Sequence, residues 1–532
     1  MTRKLFAHRE SLLILIGSLV FLTIAADAEA RLRHRRSFNA SSSQAQSTPS
    51  SSPTPVTSVS STSSVSSTSS TSSTSSTSST SSTSSATSSA TQTTPASSPS
   101  SSPTLNGSGT TYYVSSTGSD SNDGLSRSSA WQTIQHAANL LNPGDTAVVT
   151  AGTYNERVTV TRSGASGQLI TLAADSGATV TMQGFEITAS YTQETGFDIT
   201  NNNQTAQQGW GVYLGGSNNV VSYNSVHDVC FEGIYVSGNG NLNSTGTANN
   251  LVAYNTVTRA EMSGITVEGQ NNLIEYNNVS QTLQYPPNCP QNNGADADGF
   301  RFFGNGHIFK GNVITNIAIP GSQYNPDPHT DCFQTWAAAT NMTFDGNWCQ
   351  MPTPSVTSSG AGNEIGIAEN LDGYVANLLF MNNVFINLGQ GFLAQGDGGG
   401  PLPGIQFFNN TVDNIMQEGV VLQNAPAAQI IDNIFYNVGS GGDNYLAADS
   451  ASANFSAGTN DMYMSDGSKP GTYGSSAPQM RIDPQFSNVG SLDFQLSPAS
   501  QLINAGTWLP QVSQNYSGIA RPQGQGCDIG AF

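Results

Sequence analysis

The chain has 532 residues, 54 of them glycine, with 36% hydrophobic and only 10% charged residues. That charge content is well below the ~25% of ordinary soluble domains and excludes coiled coils and long helix bundles. Residues 1–40 hold seven bases and three acids, leaving nine bases and 32 acids on the rest, a surface that repels nucleic acid.

Arg3, Lys4 and Arg9 precede an apolar run from Leu12 to Ala26, and Ala26-Asp27-Ala28 and Ala28-Glu29-Ala30 both have the small-x-small form of a cleavage site. The pattern predicts a secretory signal over 1–30 and therefore a secreted or cell-surface protein. The apolar run is shorter than the ~20 residues a spanning helix needs, so no membrane contact is expected unless this basic-flanked segment stays uncleaved. From Ser41 to Thr104 the chain is Ser/Thr-rich and lacks acids, bases and aromatics. Such a composition cannot bury enough apolar surface to fold, so 31–104 is predicted to be a disordered linker.

The folded part is predicted over 105–532. It opens with Tyr112-Tyr113-Val114, a turn holding Asp120, Asn122 and Asp123, and a helical pattern from Trp131 to Leu141 closed by Pro143-Gly144-Asp145. Thr146 to Thr150 reads as a strand, and after it short β-branched or aromatic runs recur between Gly and Asn turns. Two patterns repeat through this region. The first ends an apolar-x-x triplet with Asn, at Asn224, Asn255, Asn277, Asn312, Asn347, Asn383, Asn410 and Asn433. Asparagines recurring once per coil can hydrogen-bond from coil to coil inside a parallel solenoid. The second is acid-Gly-apolar-x-apolar, as in Glu232-Gly233-Ile234-Tyr235-Val236 and Asp298-Gly299-Phe300-Arg301-Phe302, with Ser263-Gly264-Ile265-Thr266-Val267 between them. Strand alternation sends Ile234, Ile265, Phe300 and Phe333 inward and stacks Tyr235, Thr266, Arg301 and Gln334 as an outer ladder.

Stacked strands lie about 4.8 Å apart, so residues far apart in sequence meet when they occupy equivalent rungs. The densest polar stretch is Asn292 to Trp336: one coil supplies Asp296, Asp298 and Arg301, and the next supplies His329, Asp331, Gln334 and Trp336. Earlier coils add Glu232, Glu261 and Glu268, and a later one adds Glu364 and Glu369. Carboxylates of this kind serve as acids, bases or hard-cation ligands. Arg301, His329, Asp331 and Lys310 are the candidate catalytic groups. Tyr235, Glu268, Gln334 and Trp336 are the candidate substrate contacts, since outward aromatics can stack on sugar rings. Cys230, Cys289, Cys332, Cys349 and Cys527 form no CxxC pair; in an exported chain they allow one or two disulfides and leave one thiol over.

The repeats resemble the right-handed parallel β-helix superfamily of pectate-lyase-like proteins, over roughly Tyr112 to Phe532. The opening, Tyr113-Val114 through Gly118-Ser119-Asp120 to Trp131-Gln132-Thr133-Ile134, is similar to secreted bacterial members, as is the ending from Asp483-Pro484-Gln485-Phe486 to Asp528-Ile529-Gly530-Ala531-Phe532. The expected fold is thus all-β, a right-handed parallel β-helix with a short N-terminal capping helix. Ala295-Asp296-Ala297-Asp298-Gly299-Phe300 with Gly306-His307-Ile308-Phe309-Lys310-Gly311-Asn312 resembles the family-nine pectate lyases more locally. That resemblance implies calcium held by Asp298 and Asp331, with Asp296 beside them, and a Lys as base. Thr330 and Gln334 stand where the family has acids, and no Lys stands on the outer strand face, which leaves Arg301 or Lys310 as the base.

Three functions fit these residues. The first is a lyase or epimerase on a uronate polysaccharide, with calcium acidifying the α-carbon and Arg301 or His329 as base. The second is a glycoside hydrolase using Asp298 and Asp331, or wider-spaced pairs that include Glu232, Glu364 or Glu369. The third is a non-catalytic adhesin, which should spread its aromatics over several rungs instead of gathering polar groups in one groove. The expected partner is a polysaccharide and the expected state is a monomer.

Overall fold

The computed structural model describes residues 109–201, 209–238, 246–282, 297–317, 330–354, 363–396, 399–439, 445–452, 454–468 and 480–532. The expected signal and linker lie outside these residues.

From Val220 onward each coil contributes three short strands. One coil is Val220–Ser222, Ser225–Val229 and Ile234–Val236; the next is Leu251–Ala253, Thr256–Ala260 and Ile265–Val267. Within the coils each strand pairs in parallel with its equivalent one coil away, as Ile234 with Ile265 and Ile265 with Phe300, while Phe486–Asn488 and Asp493–Leu496 form a separate antiparallel pair. The chain is therefore a right-handed parallel β-helix with three faces, here called first, second and third in chain order within a coil. Its inward residues form one long core cluster from Val114 to Met462. Phe309, Phe344 and Phe380 stack within it at centroid distances of 4.9 and 4.2 Å.

The corner between the first and second faces explains the Asn repeat. The residue before each Asn takes positive φ, as at Tyr223, Tyr254, Tyr276 and Gly311. The Asn then turns inward: Asn255 N–H donates to Asn277 Oδ1 (3.0 Å), and Asn255 Nδ2 donates to Val221 O (2.9 Å). The same bonds run from Asn224 to Asn433 and on to Asn460. Buried backbone groups at a tight corner are thereby paired at every coil. A second ladder, Asn219–Asn250–Asn272, ends on His307, whose Nδ1 accepts from Asn272 N–H at 3.1 Å.

The acid-Gly motif has a steric origin. A Cβ on Gly233 or Gly264 would lie 2.2 Å from Val257 or Val279 of the second face. Only glycine lets the third face close against the second there.

The helix runs Ile134–Leu140, with Thr133 as N-cap, so it starts later than the 131–141 pattern suggested. Ile134, Ala137 and Ala138 join the first end of the core, and Glu156 accepts from the Ile134 and Gln135 N–H groups. Asp120 likewise accepts from the Gln132 and Thr133 N–H groups, which makes its segment a turn. At the other end, Phe494, Ala531 and Phe532 return over the second face and cover Trp348, Val384 and Ile386. Cys332 bonds Cys349, Cys230 is also in a disulfide, and Cys527 is a buried free thiol.

Candidate functional site

The third face carries the site. Pairing runs Tyr213–Tyr235–Thr266–Arg301–Gln334–Ile367, one residue per rung, as the repeat had predicted from Tyr235 to Gln334. Three residues earlier a second row forms, because Gly233 N–H bonds Ser263 O, Gly264 N–H bonds Asp298 O, and Gly299 N–H bonds Asp331 O. With Asp331 opposite Glu364, that row reads Trp210, Glu232, Ser263, Asp298, Asp331, Glu364. Cys332 and Phe333 are adjacent and both in the core cluster. Strict alternation is therefore broken between the two rows, and the side chains of positions 298 and 301 meet.

Arg301 Nε lies 2.7 Å from Asp298 Oδ2, and both side chains are almost fully buried. Asp298 Oδ1 accepts from Asp331 N–H at 3.0 Å. The Arg301 guanidinium sits 5.3 Å over the Trp336 ring, which packs edge-on against Phe303 at 4.8 Å. A buried carboxylate with an arginine partner stays ionised, since charge-assisted bonds stabilise the anion.

Two rungs away the surroundings are opposite. Glu232 is buried, and its Oε2 accepts from Trp210 Nε1 at 2.7 Å. Burial pushes the Glu232 carboxyl above its ordinary value, against the pull of the Arg301 charge and of the Trp210 hydrogen bond. Trp210, Tyr213, Phe231 and Tyr235 gather around it with centroid distances of 5.4 to 6.1 Å. Tyr235 donates its hydroxyl to Glu268 Oε1 at 2.7 Å. Burial raises both groups, and the Glu268 charge holds the Tyr235 proton on still harder.

Of the residues expected from sequence, Tyr235, Glu268, Asp298, Arg301, Asp331, Gln334 and Trp336 thus share one face. Asp296 and His329 lie outside the described residues. Lys310 needs a correction. It belongs to Ile308–Lys310 on the first face, in register with Glu275 and Asp345, whose carboxylates it faces. Its coil neighbours put it on a different side of the solenoid from Arg301. Trp210 was missed: it precedes the first acid-Gly repeat, and only the rung pairing shows it beside Glu232.

Both oxygens of Asp298 are already engaged, one by a guanidinium and one by a backbone N–H. Among the described residues no group of three carboxylate, His or Cys side chains is placed to hold a metal ion. Thr330 and Gln334 supply no charge, and Asp296, the third expected calcium ligand, lies outside the described residues.

No family model matches the sequence, and no curated protein matches it. Solved structures do match in shape. XylC in complex with xylose aligns at 11% identity over 79% of this chain and 98% of that one, with a TM-score of 0.51. Pectate lyase Pel9A aligns at 19% identity over 80% and 97%, with a TM-score of 0.49. An alginate lyase from Paenibacillus sp. str. FPU-7 aligns at 15% identity over 55% and 95%, with a TM-score of 0.40. The chain has a parallel β-helix fold.

Proposed function

We propose that this chain is an exported, monomeric glycan-active enzyme that hydrolyses glycosidic bonds on its third face. The observation that carries the reading is the contrast between Glu232 and Asp298. They occupy the same register two rungs apart, one raised by burial and the other ion-paired with Arg301. Two carboxyls whose surroundings push them apart are the acid and the base of a hydrolase. Two rungs span about 9–10 Å, near the ~6.5–9.5 Å at which inverting enzymes hold their carboxyls. Glu232 gives its proton to the leaving oxygen. Asp298 takes a proton from the water that attacks the anomeric carbon on the opposite side. The convergence of aromatics and acids on adjoining rungs supports an enzyme over an adhesin. Asp298 with Asp331, on adjacent rungs about 5 Å apart, is the alternative pair and has the closer spacing of a retaining enzyme.

A lyase or epimerase acting on a uronate polymer is the second reading. It is favoured by Arg301, a cation seated among carboxylates, which could meet a substrate carboxylate. Among the described residues Arg301 is a poor base, since an arginine paired to Asp298 does not give up a proton readily; His329, the other expected base, lies outside them. Neutral and uronate polysaccharides would be incubated with the protein, with calcium or with chelator. Reducing ends and ultraviolet-absorbing unsaturated ends would be followed together. Hydrolysis yields reducing ends alone, unaffected by chelator. Absorbance that requires calcium would overturn this reading in favour of elimination, and no product from any polymer would contradict both.

A further inference from the structure

Between the acid rung and the base rung lies a rung of small hydroxyl residues. Along one row the side chains run Glu232, Ser263, Asp298; along the other they run Tyr235, Thr266, Arg301. Ser263 is fully buried and Thr266 is 4% exposed. Neither Ser263 Oγ nor Thr266 Oγ1 has a hydrogen-bond partner. Leaving a buried hydroxyl unpaired costs about 1–3 kcal/mol, and here two such groups lie in adjacent rows of one rung. Their neighbours reach further: Tyr235 is tied to Glu268 and Glu232 to Trp210 on one side, and Arg301 to Asp298 on the other.

We infer that this rung is the floor of the subsite for the sugar ring being cleaved, and that Ser263 and Thr266 hydrogen-bond the hydroxyls of an uncharged sugar. The inference rests on the hydrolase reading, which puts the reacting bond between Glu232 and Asp298. An uncharged ring fits because the walls are carboxyl-bearing and the nearby cation, Arg301, is already paired with Asp298. The part-exposed rings of Trp210 and Tyr235 border the rung on one side and provide apolar faces for the C–H side of a pyranose.

The test uses the full chain carrying Glu232→Gln, so that bound glycan stays intact, and titrates it with neutral xylo-, gluco- and galacto-hexasaccharides and with hexagalacturonate. Xylose, the sugar found with XylC, sets the first of these. Adding Thr266→Val, which keeps shape and removes the hydroxyl, is expected to weaken neutral-glycan affinity about 5–10-fold. Its melting temperature should stay the same or rise, because an unpaired hydroxyl has gone. Ser263→Ala should behave alike. Affinity unchanged in both variants overturns the subsite, as does tighter binding of hexagalacturonate than of any neutral glycan. Thr266-dependent binding without cleavage by the unmutated chain would keep the subsite and sink the hydrolysis.

Discussion

Single buried side chains set two pH responses of the fold. Glu194 pairs in register with Leu172 and Val221, both core residues, so its carboxyl is inside the solenoid. Burial lifts its pKa to about 8, and the only opposing contact is the Thr192 hydroxyl. A carboxyl raised in the folded state leaves stability untouched below its unfolded value. It then subtracts stability as pH climbs from there to about 8. Glu194→Gln is therefore expected to raise the melting temperature at pH 7–8 and to leave it unchanged near pH 4. His307 has the reverse sign. Burial lowers its pKa to about 4, and its neutral ring accepts from Asn272 N–H and donates to Phe303 O. It thus costs stability as pH falls from its ordinary value toward 4. His307→Asn, which restores the residue of the ladder it terminates, should remove that acid sensitivity, seen as a flatter melting-temperature profile between pH 6.5 and 4. Under the proposed hydrolysis, a protonated Glu232 makes the rate fall as pH rises through its elevated pKa. Glu232→Gln keeps the Trp210 hydrogen bond and should lower kcat by about 10²–10⁴-fold and abolish that alkaline limb.

At the scale of the coil, sequence patterns were most informative where one physical constraint recurs. The Asn positions were legible because every corner has the same buried backbone groups to pair. The Gly of the acid-Gly motif was legible because a facing Val or Ile recurs at Gly233, Gly264 and Gly299. Replacing Asn312 with Ala leaves the N–H of Asn277 without its acceptor and should cost about 1–3 kcal/mol in denaturant unfolding. Gly264→Ala puts a methyl against Val279 and should cost a similar ~1–3 kcal/mol by overpacking. The outer face was legible only as a ladder. Strict alternation cannot place positions 298 and 301 together, since that needs the two adjacent core residues seen at Cys332 and Phe333. Trp210 lies ahead of the motif altogether, and Lys310 looked close to Arg301 only because nine positions of chain fold around a corner between faces. Calcium followed from a local likeness, and Asp296, one of its three expected ligands, lies outside the described residues.

Across the whole molecule, the returning C-terminal segment and the candidate site occupy different sides of the coils. Phe494 is buried against Trp348 and Phe486, and Arg521 donates to the carbonyls of Asp528 and Gly530. The segment shields the second face from solvent, while the acids and aromatics lie on the third. Phe494→Ala should lower stability by about 3–5 kcal/mol and, below its melting temperature, leave glycan affinity unchanged. The central claim is that a proton donor and a carboxylate two rungs apart act on one bond, and that spacing fixes the stereochemical outcome. Proton magnetic resonance of the first sugar released from a cleaved oligosaccharide reads it directly. The account predicts inverted anomeric configuration, with reducing ends and no unsaturated product; retained configuration, or an unsaturated end, would contradict it.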